Sequence, residues 1–291
     1  MAHHHLLPFL ALILLILPSS SQAQQQPTAL FSDTSGYLGS NYNITISNHT
    51  LSLTHDCGLY YYDQYDNGSS KVIDFNTPTD EEGCYLTINN FGQLVIKYSN
   101  ERKKPVTLGT AGKYGTYALL TTKYGIGIFG PRLWDNKIKP EDPQTPKNKN
   151  LRAAHSSIVL YSPDDKSRNA NDNNSLAING DVSVYITRYC ALSVNHMTTG
   201  INIWNSNSSS AEPRICSLYL TRRGVLPLLY YDESNELHTQ WTGGALAELK
   251  KYYVLVLRYY GGLDIYGVSI NVRNIPPYSG PVTENIKMVT A

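Results

Sequence analysis

Apolar and polar residues alternate along this chain in runs of three to five, the period of a strand that buries one face. In the first half the runs fall at 44–46, 51–53, 86–88, 94–96, 117–120 and 126–128; in the second at 176–178, 182–186, 201–203, 218–220, 254–257 and 263–265. Turn residues interrupt them about every ten positions, the spacing of an all-β domain. Hairpin turns are expected at Asp66-Asn67-Gly68, Asn90-Phe91-Gly92 and Tyr260-Gly261-Gly262, where Gly takes positive φ freely and Asn tolerates it. The one window of helical period is 245–252 (ALAELKKY). A longer unit also repeats. Apolar-x-apolar, a glycine turn and apolar-x-apolar recur about three times in each half, as in YLTINNFGQLVIKY (85–98) and YALLTTKYGIGIFGP (117–131). Threefold repetition on this scale predicts a trefoil or a prism of three sheets.

The pattern lapses between the halves. Residues 135–153 read DNKIKPEDPQTPKNKNLRA, with Pro140, Pro143 and Pro146 among charges and almost nothing to bury. The sequence therefore divides into a first domain at 28–134, a linker at 135–151, a second domain at 152–275 and a tail at 276–291. Lys137, Lys139, Lys147 and Lys149 make the linker a substrate for proteases, so a processed two-chain form is one expected state.

Residues 6–17 (LLPFLALILLIL) are too short to span a bilayer and lead to Ser21, Gln22 and Ala23, a small-x-small cleavage pattern. A secretory signal peptide at 1–23 is expected, with His3, His4 and His5 in its leading region rather than in a metal site. No later run is long enough to cross a membrane, so a secreted, extracellular or vacuolar destination follows. In that route Asn43, Asn48, Asn67, Asn173 and Asn207 become glycosylation acceptors. Four cysteines in an oxidising compartment suggest two disulfides. Cys57 and Cys84 are 27 positions apart, and Cys190 and Cys216 are 26 apart. Matched spacing favours pairing within each half, one staple per domain.

Composition narrows the function. Lys plus Arg is 24 against 23 Asp plus Glu, a net charge of +1, which leaves no global field for nucleic acid or an acidic membrane. Tyr supplies 23 of the aromatic residues, against five Phe and three Trp. Clusters such as Tyr60 to Tyr62 and Tyr259 with Tyr260 place successive rings on opposite faces of a strand, one for packing and one for contact with a ligand or partner. Motifs for a zinc protease, a serine hydrolase, a phosphate loop and a redox Cys pair are absent from the sequence. Acidic pairs such as Asp63 with Asp66 sit in turn-like segments. The expectation is a protein that is not an enzyme and needs no cofactor or metal.

The residues resemble the bulb-type, or monocot mannose-binding, lectin family taken twice in tandem. DCGLYYYDQYDNG (56–68) is similar to the family's first cysteine strand and hairpin, GCYLTINNFGQLVIKY (83–98) to the second cysteine and its strand pair, and KYGTYALLTTKYGIGIFGPRLW (113–134) to the closing block. The second half follows the same order more loosely. The resemblance implies two tandem β-prism II domains, each of three four-stranded sheets with pseudo-threefold symmetry. It also implies a central Trp from each sheet: Trp134, Trp204 and Trp241 stand at such places, with Ile73 and Thr107 where two others are expected. Family members exchange C-terminal strands in dimers, so a homodimer is a further expected state.

The family's sugar motif is Gln-x-Asp-x-Asn-x-Val-x-Tyr, once per sheet. Here its positions read Thr54, Asp56, Gly58, Tyr60, Tyr62; then Asn89, Phe91, Gln93, Val95, Lys97; then Thr122, Tyr124, Ile126, Ile128 with a deletion before the last position. In the second half they read Thr187, Tyr189, Ala191, Ser193, Asn195; then Thr221, Arg223, Val225, Pro227, Leu229; then Arg258, Tyr260, Gly262, Asp264, Tyr266. The remnants are Asp56 with Tyr62, Gln93 with Val95, and Tyr266. A neutral hydrogen bond contributes about 0.5 to 1.5 kcal/mol, whereas binding a monosaccharide at about 1 mM takes only ~4 kcal/mol. Loss of three polar positions out of four abolishes such a site. The expected function is a lectin-like protein that binds glycans or glycoproteins with its mannose motifs largely lost, with a role in plant defence. The alternative is a storage or protein-interaction protein on a lectin fold.

Overall fold

The computed structural model describes residues 29–64, 70–79, 83–122, 125–141, 156–162, 168–169, 175–248, 252–267 and 270–275. Alternation becomes burial directly. In Leu59–Gln64, Leu59, Tyr61 and Asp63 point inward while Tyr60, Tyr62 and Gln64 do not; Cys84–Ile88 repeats the pattern. The described residues form six antiparallel four-stranded sheets, and a short 3-10 turn at Val272–Asn274 is the only helical element among them. The window 245–252 forms no helix over its described part, because the strand Leu237–Gly244 ends there and Leu246 is left exposed without an apolar face to join.

Three sheets wrap each of two cores. The first core draws Leu51, Leu59, Tyr61, Leu86, Leu94, Ile96, Leu119 and Ile126 from three sheets; the second draws Val184, Leu192, Val194, Leu218, Leu226, Leu228, Leu255 and Ile265. Full burial of each such side chain contributes about 1.5 to 3 kcal/mol. Each core carries one staple: Cys57–Cys84 and Cys190–Cys216 are bridged, with Cα atoms 5.8 and 5.7 Å apart. Cys57 and Cys190 both have positive φ, at 69° and 59°, so each disulfide holds shut a tight turn. Gly92 and Gly261 take positive φ in two of the expected hairpin turns. The third, Asp66-Asn67-Gly68, lies outside the described residues, as do the leader, most of the linker and the tail.

The halves lend each other a strand. Arg132–Asp135 pairs with Leu263–Gly267 and closes the last sheet of the second prism. Ile270–Asn271 returns to pair with Gly127 and Ile128 and closes the last sheet of the first. Val272 and Ile275 follow it into the first core, while Leu133, Trp134 and Ile138 pack on the second. A boundary drawn at 134 from composition runs through this crossing strand.

On the axis of the second prism, Trp134, Trp204 and Trp241 meet edge to face, with centroids 6.0 to 6.5 Å apart. Trp204 lies opposite Val194. In the first prism Val106 holds the equivalent register, opposite Ile96, whereas Thr107 pairs with Val95 and is exposed. The place expected for Thr107 thus belongs to Val106, one residue along, because neighbouring strand residues face opposite sides.

The two closing sheets pack against each other. Ala29, Phe31, Ala118, Leu120 and Phe129 meet Tyr161, Val254, Val256 and Tyr266 in a third cluster. This covers the second face of Gly125–Phe129, Tyr253–Arg258 and Leu263–Gly267, which are buried along their whole length. The near-continuous apolar run at 254–257 is the sequence trace of that double burial.

Candidate functional site

Six equivalent strand–turn–strand places, here numbered as grooves in chain order, lie one on each sheet away from its core, and those of the third and sixth sheets are covered where the two closing sheets meet. Thr54 opens the first, its hydroxyl donating to Asp56 Oδ1 at 2.6 Å and holding that exposed carboxyl below the usual carboxylate range. Between Asp56 and Tyr62, however, lies the ring of Tyr60. A Cβ added at Gly58 would sit 2.6 Å from it, so the ring occupies the space of the motif's middle side chain. Tyr60 also stacks on Tyr62, centroids 6.3 Å apart, giving an aromatic ledge in place of a polar groove.

The second groove is spent internally. Asn89 Oδ1 accepts from the backbone N–H groups of Phe91 and Gln93 at 3.0 and 2.9 Å, and Asn89 Nδ2 donates to Gln93 Oε1 at 3.1 Å. Gln93 Nε2 donates to the Gly109 carbonyl at 3.0 Å. Val95 is buried and Lys97 exposed. In the third block the motif positions assigned by sequence to Ile126 and Ile128 are core positions. Gly125, Gly127 and Phe129 take the other face, because alternate residues of a strand point to opposite sides and the motif assignment stands one residue out of step with this strand.

The sixth groove is sealed between the halves. Arg258 is 1% exposed; its Nη1 reaches Asp264 Oδ2 at 2.9 Å and the Tyr266 hydroxyl at 2.8 Å, and its Nη2 reaches Asp33 Oδ1 at 2.9 Å. The guanidinium lies 3.6 Å from the centroid of Phe31. Tyr266 donates to Asp264 Oδ2 at 2.9 Å, and Arg132 from the crossing strand stands 3.4 Å from both Asp33 and Asp264. Burial raises the hydroxyls of Tyr260 and Tyr266, keeping both protonated as donors. Tyr266, a motif remnant in the sequence, is here a strut of the interface.

The fourth groove is open and polar. Ser183, Tyr185, Thr187, Arg188, Asn195, His196 and their neighbours line a cleft of about 410 Å³. Its floor is set by register: Tyr185 lies opposite Ser193 and Ser183 opposite Asn195. Asn195 Nδ2 donates to the Tyr185 hydroxyl at 2.6 Å, which keeps its own proton to give. Asn202 Nδ2 donates to Ser193 Oγ and Asn195 Oδ1 at 2.6 and 2.8 Å. Ser193 Oγ also donates to Asn195 Oδ1 at 3.2 Å, so Ser193 and Asn202 lie behind the cleft and hold Asn195, while the Tyr185 hydroxyl and the remaining Asn195 N–H are the donors its lining offers. No carboxylate is among the described residues lining it, so the pair needed to cleave a glycosidic bond is absent there. The motif reading reached Ser193 and Asn195 but not Ser183, Tyr185 or Asn202, which come from flanking strands. For Ser183 and Tyr185 the signal is the polar outward position at every second residue of 182–186.

Of the sequon residues, Asn48 and Asn207 are exposed in turns. Asn43 lies half-buried in a strand, its Oδ1 buried without a hydrogen-bond partner. Asn67 and Asn173 lie outside the described residues.

Paired three-sheet prisms with a disulfide-closed turn in each match the two-domain β-prism fold of bulb-type lectins. The chain is homologous to the monocot mannose-specific, bulb-type lectins. It is 27% identical over 225 residues to mannose-specific lectin 2 of Crocus vernus, covering 74% of this chain and 76% of that one. With mannose-specific lectin 1 of the same plant it shares 26% identity over 219 residues, covering 74% and 75%. Its fold matches the fetuin-binding agglutinin of Scilla campanulata, a two-domain lectin, with a TM-score of 0.62 at 21% identity, over 84% of this chain and 98% of that one. No protein-family model matches the chain.

Proposed function

We propose that this protein is a secreted, non-catalytic glycan-binding protein whose sugar contact has moved from the mannose motif to the fourth groove. The open cleft with its Tyr185–Asn195–Asn202–Ser193 network carries this reading. Homology to proteins named as mannose-specific lectins supports a carbohydrate ligand. The occupied first, second and sixth grooves argue against mannose bound through the ancestral positions. The ligand expected is a neutral glycan of a glycoprotein, held by vicinal hydroxyls with a ring face toward Met197.

A glycan array probed with the mature protein, and then with Tyr185→Phe and Asn195→Ala, tests it. Binding to neutral glycans that drops about tenfold in each variant, with the native fold retained in circular dichroism, is the expected result. Silence on every glycan would return the protein to the storage or protein-interaction class, and binding indifferent to both substitutions would place the contact elsewhere. Recovery of protein beginning near Gln24 from the medium of expressing cells checks secretion.

A further inference from the structure

The geometry points to a second ligand site in the fifth groove, built for a negatively charged saccharide, a uronate or sialic acid carboxylate or a sulfate ester. Thr221, Arg222, Arg223, Val225 and Leu246 line a cleft of about 520 Å³ there. Arg223 stands where the mannose motif carries Asp, so the side chain that would accept from a neutral sugar hydroxyl is replaced by one that only donates. Arg222 beside it doubles the cationic charge. The other lining groups agree. Thr221 Oγ1 already accepts from the backbone N–H groups of Arg223 and Val225, at 3.3 and 3.0 Å, which leaves its O–H to donate. The cleft thus offers donors and apolar carbon and no acceptor side chain, a lining matched to a ligand group that only accepts.

Both guanidinium groups are available. Arg132 and Arg273 are held by carboxylates, Arg258 by carboxylates and the Phe31 ring, and Arg188 and Arg214 lie on tyrosine rings. Arg222 and Arg223 are exposed, and among the described residues neither guanidinium has an ion-pair or hydrogen-bond partner. The turn that presents them is fixed. Thr221 N donates to the Val225 carbonyl at 2.9 Å and Gly224 N to the Thr221 carbonyl at 3.0 Å, with Gly224 at φ 74°. The Arg223 carbonyl accepts from Ala247 N at 2.9 Å, which pins the turn to the segment carrying Leu246. Leu246, 70% exposed, supplies a carbon face for a pyranose ring beside the charge. With the backbone of the turn fixed, only the two arginine side chains remain to be ordered when a ligand binds.

Isothermal titration of the mature protein with sialyllactose, a sulfated lactose and lactose tests the site, each at low and high salt. Binding of the charged ligands, weakening as salt rises, with lactose at least about tenfold weaker is the expected result. Response to sialyllactose alone identifies a carboxylate site, and response to both charged ligands identifies an anion site indifferent to the acid. The Arg222→Ala/Arg223→Ala double variant should lose that binding with an unchanged melt, and Arg223→Lys should keep the salt dependence but not the full affinity. Unchanged affinity in the double variant, equal affinity for lactose, or full competition by inorganic phosphate at matched charge would overturn the proposal. Its ligands and variants differ from those of the Tyr185 cleft, so either site can fail without the other.

Discussion

The fourth and sixth grooves belong to the same prism and differ in what lies over them. Both form on an antiparallel pair closed by a tight turn, with outward side chains at alternate positions. Over the sixth, the first half lays Phe31 and Asp33, and the polar groups are consumed by Arg258, Asp264 and Tyr266. Over the fourth lies a cleft, and Ser183, Tyr185 and Asn195 line it without a cover from the first half. Cover from the other half goes with a charged, internally paired cluster in the sixth groove, and its absence with an open neutral one in the fourth.

Arg258→Met should break the contrast most strongly. It leaves Asp264 and Asp33 facing each other without their closest cation, a change that costs about 3 to 5 kcal/mol in buried pairs. Denaturant titration should show a large fall in midpoint, and an Arg258→Met variant as stable as the parent would mean that the joint is dispensable. Trp204→Ala should follow at ~3 kcal/mol, opening a void on the second axis beneath the strand that carries Asn202. The same measurement on Val106→Ala in the aliphatic first axis should give a smaller loss, about 1 to 2 kcal/mol, since fewer buried atoms are removed. Asn195→Ala should reverse the order of effects: about 1 kcal/mol of stability but a tenfold or greater loss of glycan affinity.

The smallest expected effect concerns Asp56. Its carboxyl is lowered first by the Thr54 hydroxyl, so the contribution of that contact is present above the ordinary carboxylate range and fades as pH falls through the lowered value. Asp56 is exposed, so solvent screens the effect and global stability should hardly register it. An NMR titration should find Asp56 low in the parent and returned toward the ordinary range in Thr54→Ala; no change between the two would remove the hydrogen bond as its cause.

Much of this architecture is legible in the sequence, for a local reason. Strand alternation, glycine turns and the cysteine spacing each concern residues near in sequence, and the resemblance supplied the three-sheet arrangement. What escaped depends on pairing between distant residues. Nothing in Arg132–Asp135 reveals that its partner is Leu263–Gly267, and a two-residue strand such as Ile270–Asn271 carries no periodicity at all. The slip at Ile126 and Ile128 has a related origin: an assignment one residue out of step exchanges the two faces of a strand. The fourth groove was half legible, since Ser193 and Asn195 lie on the motif strand while Tyr185 and Asn202 join them only across the sheet.

The crossing strands also settle how closure scales with concentration. Because both lenders are on one chain, each strand finds its acceptor by a first-order step at a fixed effective concentration, and the midpoint of unfolding should not move when the protein is diluted. A cut within 142–155 would leave two chains each holding an essential strand of the other. Closure would then be second order, and the same protein would become stable or labile according to how much of it is present.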